Sequence, residues 1–377
     1  MESEIRRAET PENLEEFPGS DVYREWQQRE GVPVIVDFAF EDLGTLELGV
    51  WERKGGKGAI INIPNDYLPN DCQVVEIKPG GSSQPEHHLY EEMVYVLSGR
   101  GATSVWWDED HKQTFEWAAG SLFSIPLNAW YQHYNASGTD PARYAAVTNA
   151  PPVMRQWRNT DFIFESDFRF TERFAGDEDF FSASGTAYTK RRWESNFVPS
   201  APTMPLFDYL TRGAGGIQAH IMMAGNVTGA HISEFPVGTY KKAHRHGPGA
   251  HLLILSGAGF SLLWNKEDRS DIRRADWKVG SMVIVPADAT YHQHFNTGSE
   301  RARYLALRQG IGTPSSTTTG SDVSISEGGW QIEYEDEVAE VHEMFEADLK
   351  KLGVPCRMKA FVSSCTGVVG PTNVRDT

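Results

Sequence analysis

Apolar residues in this chain fall in short runs that are separated by turn-forming residues. Seven such runs, rich in β-branched and aromatic residues, lie between residues 73 and 147 and alternate with Gly, Pro, Asn or Asp. They cover residues 73–78, 93–97, 103–107, 114–117, 122–125, 130–134 and 143–147. Short strands at this spacing are typical of an antiparallel sandwich or barrel. We therefore predict an all-β fold with few helices.

Helical patterns are confined to the two ends of the chain. Residues 12–30 predict one or two short helices, followed by β segments at 34–40 and 46–51. The first helix would dock through its apolar residues, Phe17, Val22, Tyr23 and Trp26. Near the other end, residues 333–352 predict an amphipathic helix. Its apolar stripe at helical spacing consists of Val338, Val341, Phe345, Leu349 and Leu352. Docking of this stripe on a neighbouring subunit would suit a homo-oligomer.

The chain contains one long internal repeat. Val96-Leu97-Ser98-Gly99 matches Ile254-Leu255-Ser256-Gly257, and Gln132-His133-Tyr134-Asn135 matches Gln293-His294-Phe295-Asn296. Matched positions stay 157 to 161 residues apart. A repeat of this length indicates a duplicated domain rather than a solenoid.

The repeat divides the chain into five segments. Residues 70–150 and 232–312 are the two copies, and residues 1–69 form an N-terminal arm of helix and strand. The linker, 151–231, is dense in phenylalanine, and we expect it to wrap a barrel or a partner subunit. Residues 313–377 comprise a Ser/Thr/Gly-rich loop, the amphipathic helix and a tail without a periodic pattern.

Composition and charge exclude several classes of function. The net charge of −17 repels phosphate backbones and anionic membranes, so we expect no nucleic-acid partner. No apolar run of about 18 residues exists, which argues against a transmembrane helix. The N-terminus lacks the apolar region of a signal peptide, and we expect a cytoplasmic protein. The three cysteines, Cys72, Cys356 and Cys365, are odd in number and lack metal-like spacing, which favours reduced thiols.

The candidate chemistry lies in two histidine pairs. His244 and His246 precede the apolar run 250–255, and His292 and His294 lie on a later predicted strand. Side chains of an extended strand alternate, so each His-x-His pair projects both rings to one face. Neutral imidazole is the commonest protein ligand of transition metals. Surface or packed core histidines are the simpler interpretation of one such pair, but two pairs beside strand-like runs favour a metal site.

These pairs and the turn glycines resemble the motifs of the cupin superfamily. Those motifs are Gly-x5-His-x-His-x3,4-Glu-x6-Gly and Gly-x5-Pro-x-Gly-x2-His-x3-Asn, and the resemblance covers roughly residues 70–150 and 232–310. It implies two antiparallel cupin (jelly-roll) barrels in tandem, with peripheral helices and a metal inside a barrel.

Carried onto the C-terminal copy, the motifs imply His244, His246 and His292 as metal ligands. The motif Glu falls at Ala250, which cannot bind a metal, and His251 is one residue out of register. His251 is therefore a possible fourth ligand or a catalytic residue. His294 shares a face with His292, so it is either a substrate-binding residue or a packed core histidine.

The N-terminal copy has lost most of these ligands. Glu86 and His88 occupy the His-x-His positions, Glu92 fits the motif Glu, and Tyr131 replaces the third histidine. His87 and His133 lie nearby. This set could hold a metal, but we favour a structural copy.

Three neutral imidazoles suit divalent Fe, Mn, Ni, Cu or Zn and leave coordination positions open for catalysis. Cupins with three histidines and no motif Glu include Fe(II) dioxygenases. The resemblance therefore implies an Fe(II) dioxygenase, with Mn, Ni or Zn as alternative metals. It would use dioxygen and a small anionic or aromatic substrate. Two alternatives stay open: a non-redox lyase, decarboxylase or isomerase, and a ligand-binding protein without activity.

Positive side chains flank the predicted ligands. Lys241, Lys242 and Arg245 could attract a carboxylate or phenolate substrate in this otherwise acidic chain. Solvated loop charges are the simpler interpretation. We nevertheless include Arg245 among the candidate catalytic residues, with His251 and His294.

Overall fold

The computed structural model describes residues 21–64, 68–287, 289–310 and 320–368. The first eleven strands are β1 (Val34–Val36), β2 (Ala39–Phe40), β3 (Gly49–Trp51), β4 (Gly56–Asn62), β5 (Asp71–Ile77), β6 (Glu92–Ser98), β7 (Arg100–Trp106), β8 (Gln113–Ala118), β9 (Leu122–Ile125), β10 (Trp130–Asn135) and β11 (Ala142–Thr148).

The other twelve strands are β12 (Thr186–Thr189), β13 (Arg192–Glu194), β14 (Phe197–Val198), β15 (Phe207–Asp208), β16 (Ile217–Met222), β17 (Thr228–Phe235), β18 (Ala250–Ser256), β19 (Gly259–Trp264), β20 (Arg273–Trp277), β21 (Met282–Val285), β22 (Tyr291–Asn296) and β23 (Ala302–Gln309). The helices are α1 (Val22–Glu30), α2 (Ala150–Trp157), α3 (Thr160–Phe164) and α4 (Ala339–Leu352). The all-β prediction with peripheral helices is confirmed.

Each copy is a jelly roll of one large and one small sheet. In the N-terminal copy the large sheet has the order β1-β4-β5-β11-β6-β9-β14, and the small sheet has the order β10-β7-β8. In the C-terminal copy the large sheet runs β12-β13-β16-β17-β23-β18-β21-β2, opposite the small sheet β20-β19-β22. The strand orders β5-β11-β6-β9 and β17-β23-β18-β21 correspond one to one. The duplication read from the sequence is therefore a duplication of the fold.

The two copies exchange edge strands. β2 comes from the N-terminal arm but pairs with β21 of the C-terminal copy, whereas β14 from the linker pairs with β9 of the N-terminal copy. This exchange explains why the predicted strand 34–40 is two strands in the structure. The chain leaves the first sheet after β1 and joins the second sheet at β2.

An arginine at the equivalent position of each copy holds the exchanged segment in place. Arg143 on β11 donates hydrogen bonds to the carbonyls of Leu43, Gly44 and Leu46, which follow β2. Arg303 on β23 does the same at the carbonyls of the residues that follow β14, Ala201, Pro202 and Met204. A salt bridge to Glu76 or Glu234 holds each guanidinium. These arginines are therefore structural residues of the repeat.

Alternation along β18 separates two regions of the core. Leu252 and Ile254 belong to the interior cluster of the C-terminal copy, whereas Leu253 and Leu255 pack into the large cluster that joins both copies. Burial of apolar side chains on both faces stabilises the strand and the contact between copies. β18 is thus a central strand buried on its two faces.

The peripheral helices pack on the chain itself. In α1, Tyr23 and Trp26 are buried, while the remainder of the predicted N-terminal helix, including Phe17, lies outside the described residues. α4 begins six residues later than predicted and buries Val341, Phe345 and Leu349 against the C-terminal copy. Most of the stripe expected on a partner subunit is therefore covered within the chain. Across the described ranges, no helix has the length and apolar character needed to cross a bilayer.

The linker covers the N-terminal copy with some of its phenylalanines. Phe181 stacks on Phe115 of β8 with ring centroids 4.0 Å apart, and Phe174 is buried beside Trp107. Further along, β12, β13, β15 and β16 extend the large sheet of the C-terminal copy. The linker therefore belongs to both copies. Most of the loop predicted to be mobile at 313–322 lies outside the described residues.

Candidate metal centre

Three histidines of the C-terminal copy converge at one point. His244 forms an isolated antiparallel bridge with His292 on β22, with backbone N–H to O distances of 3.1 and 2.9 Å. Because His246 is two residues further along, its ring lies on the same side as that of His244. The ring centroids of His244 and His246 are 4.2 and 4.8 Å from that of His292. One nitrogen of each ring lies within 4.8 Å of the others, and all three residues are buried.

Backbone carbonyls orient two of these rings. His244 Nδ1 lies 3.2 Å from the carbonyl oxygen of Lys242, and His292 Nδ1 lies 3.2 Å from that of Thr290. A carbonyl only accepts, so each Nδ1 carries the hydrogen and each Nε2 keeps its lone pair. Donation from the second ring nitrogen to a carbonyl is usual for metal-bound histidine.

The donor set suits a divalent transition metal. Bonds of about 2.0–2.1 Å to imidazole place ligand nitrogens roughly 3–3.5 Å apart, which small side-chain rotations would achieve here. Burial strongly lowers the pKa of His244 and His246 and lowers that of His292 to about 3. All three rings are therefore neutral at pH 7, the state that binds a metal.

The motif carboxylate is missing from this centre. In the N-terminal copy Glu92 pairs with Ile125, the residue before Pro126. The corresponding pair in the C-terminal copy joins Ala250 to Val285, the residue before Pro286. Ala250 therefore occupies the position of the carboxylate, and the three imidazoles leave the charge of a bound cation uncompensated.

The structure does not bring His251 to the three-histidine centre. His251 alternates with Ala250 along β18, so its ring lies on the opposite face with Leu253 and Leu255. It is completely buried, and neither ring nitrogen has a hydrogen-bond partner among the described residues. This environment lowers the pKa of His251 to about 3.

His294 lies beside the centre but not in the group of ligand atoms. Its ring centroid is 5.5 Å from that of His292, and its Nδ1 is 2.8 Å from Ser261 Oγ. Ser261 also accepts a hydrogen bond from Trp277. The N-terminal copy repeats this arrangement with His133, Thr103 and Trp117. A triad common to both copies favours the packed core interpretation of His294.

Arg245 points away from the centre. Its guanidinium lies 4.9 Å above the ring of Tyr291, and it does not line the cavity beside the histidines. Alternation explains this position, because Arg245 lies between two residues whose rings face inward. Lys242 is likewise paired with Glu333. Of the three flanking cations singled out from the sequence, only Lys241 reaches the cavity.

A small cationic cavity adjoins the histidines. Its volume is about 90 Å³. It is lined by Arg191, Arg192, Tyr209, Arg212, Gln218, His220, His231, Lys241, His244, His246, Tyr304, Arg308, Ser321 and Asp322. The lining thus has four guanidiniums and one ammonium against a single carboxylate, and none of these described side chains is aliphatic. Such a cavity attracts a small anion.

Several buried polar atoms of this cavity lack protein partners. Arg308 Nε, His231 Nδ1, His246 Nδ1 and Gln218 Oε1 have no hydrogen-bond partner among the described residues. Burial and the neighbouring Arg212 lower the pKa of Arg308 to about 10, so it remains charged at pH 7. A buried, nearly unpaired guanidinium is costly unless an anion binds it. A polar ligand or bound water in the cavity would satisfy these atoms.

Sequence reasoning missed most of these cationic residues, although one signal pointed to Arg308. Tyr304 and Ala306 lie on the interior face of β23, and alternation places Arg308 on that face as well. A charged residue on the core face of a strand indicates a site. Arg212 lies in a short 3-10 turn, where no periodic pattern indicates the direction of its side chain.

The N-terminal copy holds an internal cation at the corresponding position. Glu86 bridges to Tyr131 as His244 bridges to His292. The Lys54 ammonium lies 2.5 Å from Glu86 Oε1 and 3.3 Å from Tyr131 Oη. Tyr131 Oη is 2.7 Å from Glu92 Oε2, and His88 Nε2 is 3.0 Å from the same oxygen. The four residues predicted as a decayed ligand set thus form a network around Lys54.

The charges of this network stabilise one another. Burial raises the pKa of the Glu92 carboxyl. The Lys54 ammonium and the His88 hydrogen bond lower it by a larger amount, so the net shift of the pKa is downward. Burial lowers the pKa of Lys54, but Glu86 and Glu92 reverse that shift. His87 is not part of the network, because its Nδ1 pairs with Asn128. This arrangement supports a structural role for the N-terminal copy.

The N-terminal copy matches a known domain family, and solved structures are similar to the chain at low identity. Residues 73–148 match the family model described as a cupin domain, whereas no curated protein matches the chain. A Bacillus subtilis oxalate decarboxylase, studied for its Mn(II) centers, is 14% identical, with 73% of this chain and 78% of that chain covered at a TM-score of 0.48. A Lactobacillus farciminis oxalate decarboxylase in a formate complex is 13% identical, with 74% and 87% covered at a TM-score of 0.48.

The resemblance to the cupin superfamily is confirmed by the family match over the N-terminal copy. The C-terminal copy repeats the strand order of that domain, so the protein is a bicupin.

Proposed function

We propose that this bicupin is a metal-dependent enzyme that acts on a small carboxylate anion at the C-terminal centre. His244, His246 and His292 would hold a divalent transition metal. The observation that carries the proposal is the cationic lining of the adjoining cavity, which includes Arg308 with an unpaired Nε and Lys241. Neither residue has a carboxylate partner within hydrogen-bonding distance among the described residues.

The size and lining of the cavity favour one substrate class. A volume of about 90 Å³ holds only a few non-hydrogen atoms, far less than the roughly 300–1,000 Å³ of cavities for larger ligands. Aromatic substrates are usually bound between apolar walls, which the described lining lacks. A short mono- or dicarboxylic acid, or a 2-oxo acid, fits better than the aromatic substrate considered from the sequence.

Our leading proposal for the reaction on such an anion is non-redox chemistry, namely that of a lyase, decarboxylase or isomerase. A metal bound by three neutral ligands supplies a strong Lewis acid for a carboxylate oxygen. Arg308 and Arg212 would orient the substrate by charge-assisted hydrogen bonds. Lys241, which donates hydrogen bonds to Ser233 and Tyr304, would place a further positive charge at the cavity wall.

A second candidate is an Fe(II) dioxygenase acting on the same kind of anion. It is supported by the three-imidazole donor set with Ala250 in place of the motif carboxylate. This set resembles that of cupin Fe(II) dioxygenases. The two candidates share the metal ligands and the anionic substrate, and they differ in the need for oxygen.

Reconstitution of metal-free protein separates the candidates. Fe(II), Mn(II), Ni(II) and Zn(II) would be added singly, in air and under argon, with a panel of short carboxylates. Turnover under argon with product of unchanged oxidation level supports the leading proposal. Turnover only in air, with Fe(II) and matching oxygen uptake, supports the dioxygenase. Full activity without any metal would contradict both.

A further inference from the structure

A second group of side chains that can bind a metal lies between residues 342 and 365, C-terminal to the histidine centre. α4 presents His342 and Glu346 on one face, since residues four apart are neighbours on a helix. The segment after α4 returns over this face and brings Cys356 and Cys365 to it. One ligand atom from each of the four residues lies within 4.8 Å of all the others. Both cysteines and His342 are buried.

Hydrogen bonding leaves His342 with a lone pair that faces the other ligands. The Tyr240 hydroxyl donates its only hydrogen to Glu337 Oε2 at 2.8 Å. His342 Nδ1, 3.2 Å from the same hydroxyl, must therefore be the donor of that contact. In the neutral ring Nε2 is then an acceptor.

The lone pair on His342 Nε2 faces another hydrogen-bond acceptor, an oxygen of Glu346. His342 Nε2 lies 3.2 Å from Glu346 Oε1, so two acceptors face each other. His342 Nε2 is buried and has no hydrogen-bond partner among the described residues. A metal ion between the two atoms would give Nε2 a partner, and Glu346 would keep the hydrogen bonds that it accepts from the Thr366 amide and hydroxyl. In a tetrahedral zinc site such ligand atoms lie about 3.3 Å apart.

The two sulfurs complete the set. Cys356 Sγ and Cys365 Sγ are 3.3 Å apart, too far for a disulfide bond of about 2.05 Å. Two thiolates on one tetrahedral zinc lie roughly 3.7 Å apart, close to the observed separation. The Gly367 amide donates to Cys365 Sγ at 3.4 Å, a contact that stabilises a thiolate.

We propose that His342, Glu346, Cys356 and Cys365 bind a structural zinc ion. Soft thiolates with imidazole select zinc over Mg²⁺, Ca²⁺ and Mn²⁺. Four protein ligands fill a tetrahedral shell and leave no position for substrate, which is the arrangement of structural rather than catalytic zinc. The wide spacing of the ligands along the chain explains why the cysteines carried no metal signal in the sequence.

This site would fasten the C-terminal segment to residues 236–243, the segment that leads from β17 to His244. The Arg357 amide donates to the Gly238 carbonyl at 2.8 Å, beside Cys356. Gly238 has φ +69°, and a Cβ there would meet the Pro355 carbonyl oxygen. Tyr240, which contacts His342 Nδ1, is two residues further along this segment. Zinc bound by α4 and the two cysteines would thus fix the position of the segment that leads to His244.

Cobalt substitution tests the proposal directly. Cobalt(II) bound by cysteine thiolates gives an intense near-ultraviolet charge-transfer band that histidine ligands do not give. We expect this band in the full-length protein and in a His246→Ala/His292→Ala variant that lacks the other site. It should disappear in Cys356→Ser/Cys365→Ser and persist in Cys72→Ser, the matched control at the third cysteine. Zinc content should fall by one equivalent per chain in Cys356→Ser/Cys365→Ser and should stay at the wild-type value in Cys72→Ser.

Two results would overturn the proposal. One is the absence of the band from cobalt-loaded wild-type protein whose Cys356 and Cys365 are both reduced. The other is a disulfide between these cysteines in protein purified under reducing conditions, detected by peptide mass. If the double serine variant does not fold, stoichiometric release of zinc from wild-type protein by a thiol-specific mercurial decides the question. Failure here leaves the proposed function untouched, because the histidine centre shares none of these ligands.

Discussion

Lys54 and Arg308 are buried cations in corresponding regions of the two copies, but their surroundings differ. The Lys54 ammonium has Glu86 as its partner and the Glu92 carboxylate nearby, so its charge is compensated within the chain. Within the described part of the chain, Arg308 makes one long contact, to the Gln309 carbonyl at 3.3 Å, and its Nε has no partner. A compensated cation stabilises the fold, whereas an uncompensated one is available to a ligand.

Replacing Arg308 by Met should weaken carboxylate binding about 10- to 100-fold, since a charge-assisted hydrogen bond contributes roughly 1.5–3 kcal/mol. Calorimetric titration of metal-loaded protein with short carboxylates measures this change. Arg245→Met is the matched control, because Arg245 packs on Tyr291 outside the cavity. Equal affinities for both variants would remove the role assigned to Arg308.

Replacing Lys54 by Met should lower the free energy of unfolding by about 3–5 kcal/mol at pH 7, because Glu86 and Glu92 are left buried without a cation. In the wild type the folded-state pKa of Glu92 is lowered, so its stabilising contribution is present above the unfolded pKa and is lost as the pH falls through the folded value. Without Lys54, burial raises the folded-state pKa of Glu92, and the ionised carboxylate then destabilises the fold at pH 7.

The difference in stability between wild type and Lys54→Met should therefore be largest near pH 7 and shrink as the pH falls through the unfolded pKa of about 4.3. Denaturant unfolding at several pH values measures it. Lys57→Met, at an exposed position of the neighbouring strand β4, should change little at any pH. A difference that stays constant with pH would contradict this account of the network.

At the scale of elements, the exchanged strands determine how the copies are joined. β2 and β14 are each only two residues long, so their own ladder bonds contribute little. Arg143 and Arg303 hold the following segments through three carbonyls each. Stability at this junction therefore depends on the arginines more than on the strands.

Arg303→Met should lower the free energy of unfolding by about 2–4 kcal/mol, since it removes several charge-assisted hydrogen bonds to buried carbonyls. The metal content should stay unchanged, because Arg303 contacts neither the histidines nor the cavity. Thermal unfolding and elemental analysis measure the two quantities. Arg273→Met, at an exposed position of β20, is the control. A stability unchanged from that of the control would refute the role of Arg303.

The sequence predicted elements well where one periodic pattern coincided with one packing surface. The strands of both copies coincide with short runs rich in β-branched and aromatic residues, and α4 follows its apolar stripe. At 34–40 the predicted β structure is present, but the break after Val36 was missed, because a chain that changes sheets shows no break in its apolar pattern. β4 was missed because its first half, Gly56-Lys57-Gly58, reads as a turn. Pairing with β5, which is distant in sequence, overrides this local preference.

The candidate site was predictable to a lesser extent. His244, His246 and His292 follow from motif spacing, since a fixed strand register determines which side chains meet. Arg212 and His220 come from the linker, and only the tertiary fold brings them to the cavity. The convergence of α4 with Cys356 and Cys365 depends likewise on a segment without periodicity.

At the scale of the whole molecule, the two copies share a fold but differ at the position of the centre. The N-terminal copy replaces the ligands with a network closed by Lys54, and the C-terminal copy keeps three imidazoles. The chain carries a net charge of −17, yet its cationic cavity lies at the C-terminal centre. Duplication has thus left one copy as a scaffold and the other as the site of the proposed chemistry.

Elemental analysis of two histidine variants tests the central claim most directly. His246→Ala/His292→Ala should contain one equivalent of metal per chain less than the wild type, because two of three ligands are lost. His294→Ala, which alters the adjacent histidine outside the ligand group, should keep the wild-type metal content. An unchanged metal content in the double variant, or the same loss in both variants, would contradict a metal centre at His244, His246 and His292.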